Sequence, residues 1–125
     1  MTELCNQKHD TCVALGYKVQ EVDEKVIVIR YQMHVVHICY YEHSPEDCMV
    51  MIAIRKEVPE TERQQVLEHC NDLNEKLKHY KYYIMGPGVV ASIEFRFKDA
   101  DDLAYHLQHA VKTICQAKRI YDHNV

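Results

Sequence analysis

Cys5, His9 and Cys12 stand four and three residues apart in a segment that reads as a helix, and thiol and imidazole groups on one helix stripe are the raw material of a metal site. Seven residues of helix span about 10.5 Å, so the three cannot close on one tetrahedral ion; His9 with either neighbour supplies two ligands. Two more would have to come from elsewhere, for instance His69 and Cys70, which the spacing does not place. The other reading is a packed helix face. Asp102 and His106, four apart, have the spacing of a carboxylate–imidazole base, with His109 one turn on. These histidines fall on the flank and polar side of the Leu103, Leu107, Ala110 stripe, where a solvated helix surface is expected. His34 and His37 point to opposite faces of a strand and cannot share a ligand.

The six cysteines, at 5, 12, 39, 48, 70 and 115, contain no C-x-x-C pair. They are expected to be structural thiols, Cys48 and Cys70 within apolar stripes. No Gly-x-Ser-x-Gly or similar nucleophile turn occurs. The sequence therefore assigns no catalytic, cofactor-binding or metal-ligating residue, and no cofactor. Glu94 and Arg96 are expected on the wetter face of a hairpin, with Lys81 and Tyr83 approaching across it as a cross-strand ion pair. Asn74, within reach of a buried helix stripe, is expected to bond neighbouring backbone, because a buried amide needs a partner. Tyr31, Tyr40, Tyr41, Tyr80, Tyr82, Tyr83, Tyr105 and Tyr121 suit either an interface or an ordinary sheet.

The elements that must position these groups follow from periodicity. Residues 2–15 read as a helix with Leu4, Cys12 and Leu15 near one stripe, closed by Gly16. Strands are expected at Lys18–Val22, Val26–Tyr31, Val35–Tyr41 and Cys48–Arg55, with 43–47 as a turn. Val26–Ile29 and Cys48–Ile54 are apolar at every position, which calls for cover on both faces. Thr61 and Gln64 resemble a capping box, and Val66, Cys70, Leu73 and Leu77 form one helical face. Tyr80–Met85 and Val89–Phe97 flank Gly86-Pro87-Gly88 as a hairpin, with Val89, Ala91, Ile93, Phe95 and Phe97 buried and Val90, Ser92, Glu94 and Arg96 wetter. One long helix is expected from Asp99 to about Tyr121. The outcome is an α+β fold: an antiparallel sheet of five or six strands with helices mainly on one face.

A chain of 125 residues with three Gly and three Pro leaves little room for linkers, and residues 1–125 read as one domain. The net charge of -4 argues against a nucleic-acid binder that works through a basic face. No export signal or membrane-length apolar run is visible, so a cytoplasmic protein is expected.

The order of elements resembles the type III secretion chaperone-like fold, and within it the chain is similar to the YbjN family. The features that carry this are Gly16-Tyr17, the segment Val26–Tyr31, the strand Cys48–Ile54, Cys70–Asn74 followed by Lys81-Tyr82, and Ser92–Glu94 with Asp101–Leu103. The resemblance implies a non-enzymatic, homodimeric regulatory protein that binds a polypeptide partner. A Cys/His metal-dependent regulator is the alternative, and a small enzyme a further one.

Overall fold

The computed structural model describes residues 3–124. Helix α1 (Glu3–Ala14) leads into a meander of β1 (Lys18–Val22), β2 (Val26–Tyr31), β3 (His34–Tyr41) and β4 (Ser44–Arg55). A 3-10 turn at Glu60–Glu62 precedes α2 (Arg63–Lys76), followed by β5 (Lys81–Met85), β6 (Gly88–Arg96), α3 (Ala100–Ile114) and α4 (Ala117–His123). The six strands form one antiparallel sheet in the order β1-β2-β3-β4-β6-β5. Ile27, Ile38, Val50 and Ile93 lie in one register row, all buried, beneath a helix layer that adds Leu103, Leu107, Val111 and Ile114 to the same core.

Each helix buries a stripe set by its sequence. Val66, Cys70 and Leu73 are the buried positions of α2, whose helix packs on β5, as the 3.6-residue period requires. Helix α1 is rotated relative to expectation: Cys5, Lys8 and Cys12 face the core, while Leu4 and Leu15 are half-buried. Lys8 is buried because its ammonium donates to Gln7 Oε1 (2.7 Å) and the Pro45 carbonyl (3.3 Å) and stands 4.4 Å from the centre of the Phe97 ring.

Three expectations are corrected. The segment 43–47 is not a turn: β4 begins at Ser44, and its first residues reach across to β6, with Asp47 opposite Arg96 and the Phe97 N–H on the Glu46 carbonyl. Between the pairs Tyr40–Cys48 and Tyr41–Ser44 the extra residues Pro45, Glu46 and Asp47 belong to β4 and bulge away from β3, where Pro45 has no N–H to donate. The Thr61 capping box does not form, since Thr61 lies inside the 3-10 turn and Glu62, which precedes α2, makes no side-chain cap. The last helix is broken at Cys115-Gln116, where the Gln116 N–H turns to the Thr113 carbonyl (3.1 Å). Tyr80, just before β5, donates to that same carbonyl (2.8 Å) and Tyr82 of β5 to the Ala117 carbonyl (2.8 Å), so tyrosine hydroxyls fasten both sides of the break.

Gly88 marks the tightest approach in the hairpin. A Cβ there would collide with the Arg55 carbonyl and come within 2.8 Å of the Lys56 carbonyl, which is why β6 can start flush against the end of β4. The Val58 N–H then closes on the Pro87 carbonyl (2.6 Å).

Candidate binding surface

The Cys/His stripe of α1 is pulled apart by packing. Cys5 and Cys12 point into the core, Cys5 donating to the Asp23 carbonyl (3.7 Å), while His9 sits half-buried beside Asp10 (3.5 Å). His69 is bound to the Tyr121 carbonyl (2.9 Å) and its neighbour Cys70 is in the core, so neither completes a set with α1. Among the described residues no three His, Cys, Asp or Glu side chains are arranged to hold a metal ion. All six cysteines are buried and none is in a disulfide. Burial pushes Cys12 and Cys48 up to about 12 and Cys115 up to about 11, which keeps them as protonated thiols.

Asp102 and His106 do meet, at 3.3 Å, yet the carboxylate is committed to the start of α3: it accepts the Lys98 N–H (3.0 Å), while the Asp102 N–H binds Asp99 (2.8 Å). His106 leans toward the Phe95 ring, 5.7 Å between centroids, and His109 toward Tyr105 at 4.7 Å. Asn74 is exposed on α2 and not buried as expected, yet its amide still bonds neighbouring backbone, gripping both the N–H (2.7 Å) and the carbonyl (2.9 Å) of Tyr82 and so pinning α2 to β5. Arg96 forms its ion pair with Asp47 (3.0 Å) on β4, whereas Lys81 instead lies over the Tyr83 ring at 5.4 Å.

The tyrosines divide into two sets. Tyr40, Tyr80 and Tyr82 donate to main-chain carbonyls on the helix side and are internal fasteners. Tyr41 and Tyr83 belong to the opposite face of the sheet, which no helix covers. Their hydroxyls rest on the sulfurs of Met49 (3.6 Å) and Met51 (3.7 Å). Burial, with the Glu94 carboxylate adding to it, pushes Tyr41 up to about 12.

This helix-free face has a defined register. One row runs Glu21, Val28, His37, Met51, Ser92, Lys81 across all six strands, and the next runs Val26, Cys39, Met49, Glu94. Val28, Cys39, Val90 and Ser92 are buried here although expectation placed Val90 and Ser92 on a wet surface. Long neighbours explain it: Met51 and Lys81 stand on either side of Ser92, and Tyr83 stands opposite Val90. The Ser92 hydroxyl beneath them has no hydrogen-bond partner among the described residues.

A second feature lies at the edge. Strand β5 pairs with β6 only from Gly88 to Ser92, so Ile93–Arg96 has no strand on that side among the described residues. Alongside runs a groove of about 370 Å³ lined by Ile93, Phe95, His106, His109, Ala110 and His79, among others. His79 adopts a left-handed backbone (φ 41°) just before β5 begins. The arms expected from the sequence, Tyr80–Met85 and Val89–Phe97, differ in length, and the register places the surplus at the far end of β6, which leaves this edge open.

The YbjN family, described as "putative bacterial sensory transduction regulator", matches residues 10–110. The chain belongs to the YbjN family. The crystal structure of YbjN from E. coli superimposes with a TM-score of 0.68 at 10% identity, covering 93% of this chain and 87% of that one. The Yersinia pestis type III secretion chaperone SycH, solved in complex with a stable fragment of YscM2, gives a TM-score of 0.50 at 12% identity over 90% of this chain and 98% of that one. These likenesses establish a shared fold, and the six-stranded sheet of this YbjN-family chain keeps the element order that the resemblance implied. No curated protein matches the sequence. No described helix is long and apolar enough to cross a membrane.

Proposed function

We propose that this YbjN-family chain is a non-enzymatic, cytoplasmic regulatory domain that acts by binding protein: it pairs with a second copy through the helix-free sheet face and takes an extended polypeptide along the open edge of β6. The observation that carries the reading is the run Ile93–Arg96, a strand edge that ends four residues beyond its neighbour β5 and borders an apolar-floored groove. Unpaired backbone donors and acceptors on a strand edge are a template for another strand, and pockets beside them select alternate side chains. The family's description as a regulator and the bound fragment of SycH support the same reading. A peptide continuing the line of β5 would set every second side chain against Ile93, Phe95 and Ala110, so apolar residues at alternate positions are the chemistry it requires.

A photo-crosslinking residue placed at His109, exposed in the groove beside the edge, compared with one at the exposed Glu68 of α2, tests this in native lysate. The expected result is a discrete adduct at 109, with a polypeptide other than a second copy of this chain, that is absent at 68. Equal labelling at both positions, or none at 109, would overturn the assignment of the edge.

A further inference from the structure

We propose that the helix-free face carries a binding site for a soft monovalent cation, Cu(I) or Ag(I), formed by Cys39, Met49 and Met51 with His37 beside them. Cys39 stands directly opposite Met49, and His37 directly opposite Met51, in consecutive same-face pairs of β3 and β4. Directly paired positions have Cβ atoms about 4.5–5.5 Å apart and diagonal ones lie about 7–8 Å apart, so all four side chains border one patch of sheet. The methionines have three rotatable bonds each, which lets their sulfurs converge without moving the strands.

Both sulfurs now accept only a weak contact from a tyrosine hydroxyl, Tyr41 on Met49 and Tyr83 on Met51, and a cation can displace such contacts. The ligand set decides the metal. One thiolate and two thioethers, with an imidazole at hand, favour Cu(I) over oxygen-seeking ions. Closed zinc sites draw four ligands from Cys and His, and this patch offers two. Glu94, opposite Met49 in the same row, places a carboxylate near the added charge. Coordination replaces the Cys39 proton, which leaves to solvent, and no electron is transferred. The other five cysteines belong to the core under the helices, so Cys39 is the thiol that this face presents.

The reduced protein is titrated with Ag(I), a redox-inert stand-in, with the methionine ε-methyl groups followed by NMR. The signals of Met49 and Met51 are expected to move to saturation while those of Met33 and Met85 stay in place. Cys39→Ser and the double variant M49L/M51L, which keeps side-chain volume, should each weaken uptake at least tenfold against a competing chelator. Because the patch lies within the face proposed for self-association, the titration is repeated at protein concentrations below and above the onset of association. Loss of the dimer and loss of the metal site are then separate results. Met49 and Met51 signals that do not move would overturn the site and assign any silver uptake to the core thiols, and signals that move unchanged in Cys39→Ser would overturn it by removing Cys39 as a ligand.

Discussion

Tyr80, Tyr82 and Asn74 each spend their polar atoms on a main-chain group across an element boundary, while the thiols of Cys12, Cys48 and Cys115 have been taken out of water, and the Lys8 charge near Cys48 offsets only part of that burial. That contrast sets the response to alkali. An unfolded thiol titrates near 9.0, whereas Cys12 and Cys48 hold their protons to about 12 in the fold. Between those limits the folded state binds more protons, so stability falls as pH rises, by about 1.4 kcal/mol per pH unit for each such thiol. Lys8 opposes this: burial lowers its pKa from 10.5, so the unfolded chain holds that proton more tightly and stability rises with pH over its window. One lysine is set against several thiols. The urea midpoint is expected to drop steadily from about pH 8.5 to about pH 10.5 under reducing conditions, and more shallowly in Cys48→Ala. A flat profile would contradict the buried, protonated thiols.

At the scale of elements, the reciprocal bonds among Lys98, Asp99 and Asp102 give the start of α3 a side-chain cap that α2 and α4 lack. Asp99→Ala is expected to cost about 1 kcal/mol in chemical denaturation, with Asp99→Ser retaining most of that stability. This cap was legible because Asp precedes an apolar stripe of helical period. The hairpin was legible from Gly86-Pro87-Gly88, and α2 from Val66, Cys70 and Leu73. What escaped the sequence depended on distant partners. Pro45 signals a turn until β6 is known to receive the strand that contains it, and the break at Cys115-Gln116 is supported by tyrosines more than thirty residues away, at Tyr80 and Tyr82. For the candidate surface, apolar runs at Val26–Ile29 and Cys48–Ile54 announced a face in need of cover. They could not announce that Met51, Tyr83 and Lys81 would already roof Val90 and Ser92, although the expected hairpin arms, Tyr80–Met85 and Val89–Phe97, already made the first shorter than the second.

For the whole molecule, placing every helix on one side of the sheet leaves Val35 and Tyr41 more than a third exposed, with Met49 and Met51 half-buried between them. At about 25 cal/mol per Å² of apolar surface, covering such a face is worth several kcal/mol, and a two-fold copy covers it most simply. Sedimentation equilibrium at micromolar concentration is expected to give a dimer, and Val35→Glu a monomer with an unchanged circular dichroism spectrum. A monomeric wild-type chain would remove the sheet face as the contact.

Every pair of neighbouring strands in this sheet is consecutive in the chain except at the seam where β6 lies against β4, with the 3-10 turn, α2 and β5 intervening. The β1–β4 meander and the β5–β6 hairpin can each close over short loops, so the entropic search in folding is concentrated in bringing these two pieces into register. Substitutions along the seam, such as at Val50 or Ile93, are therefore expected to slow folding in stopped-flow measurements, while those along the outlying β1 are expected mainly to speed unfolding.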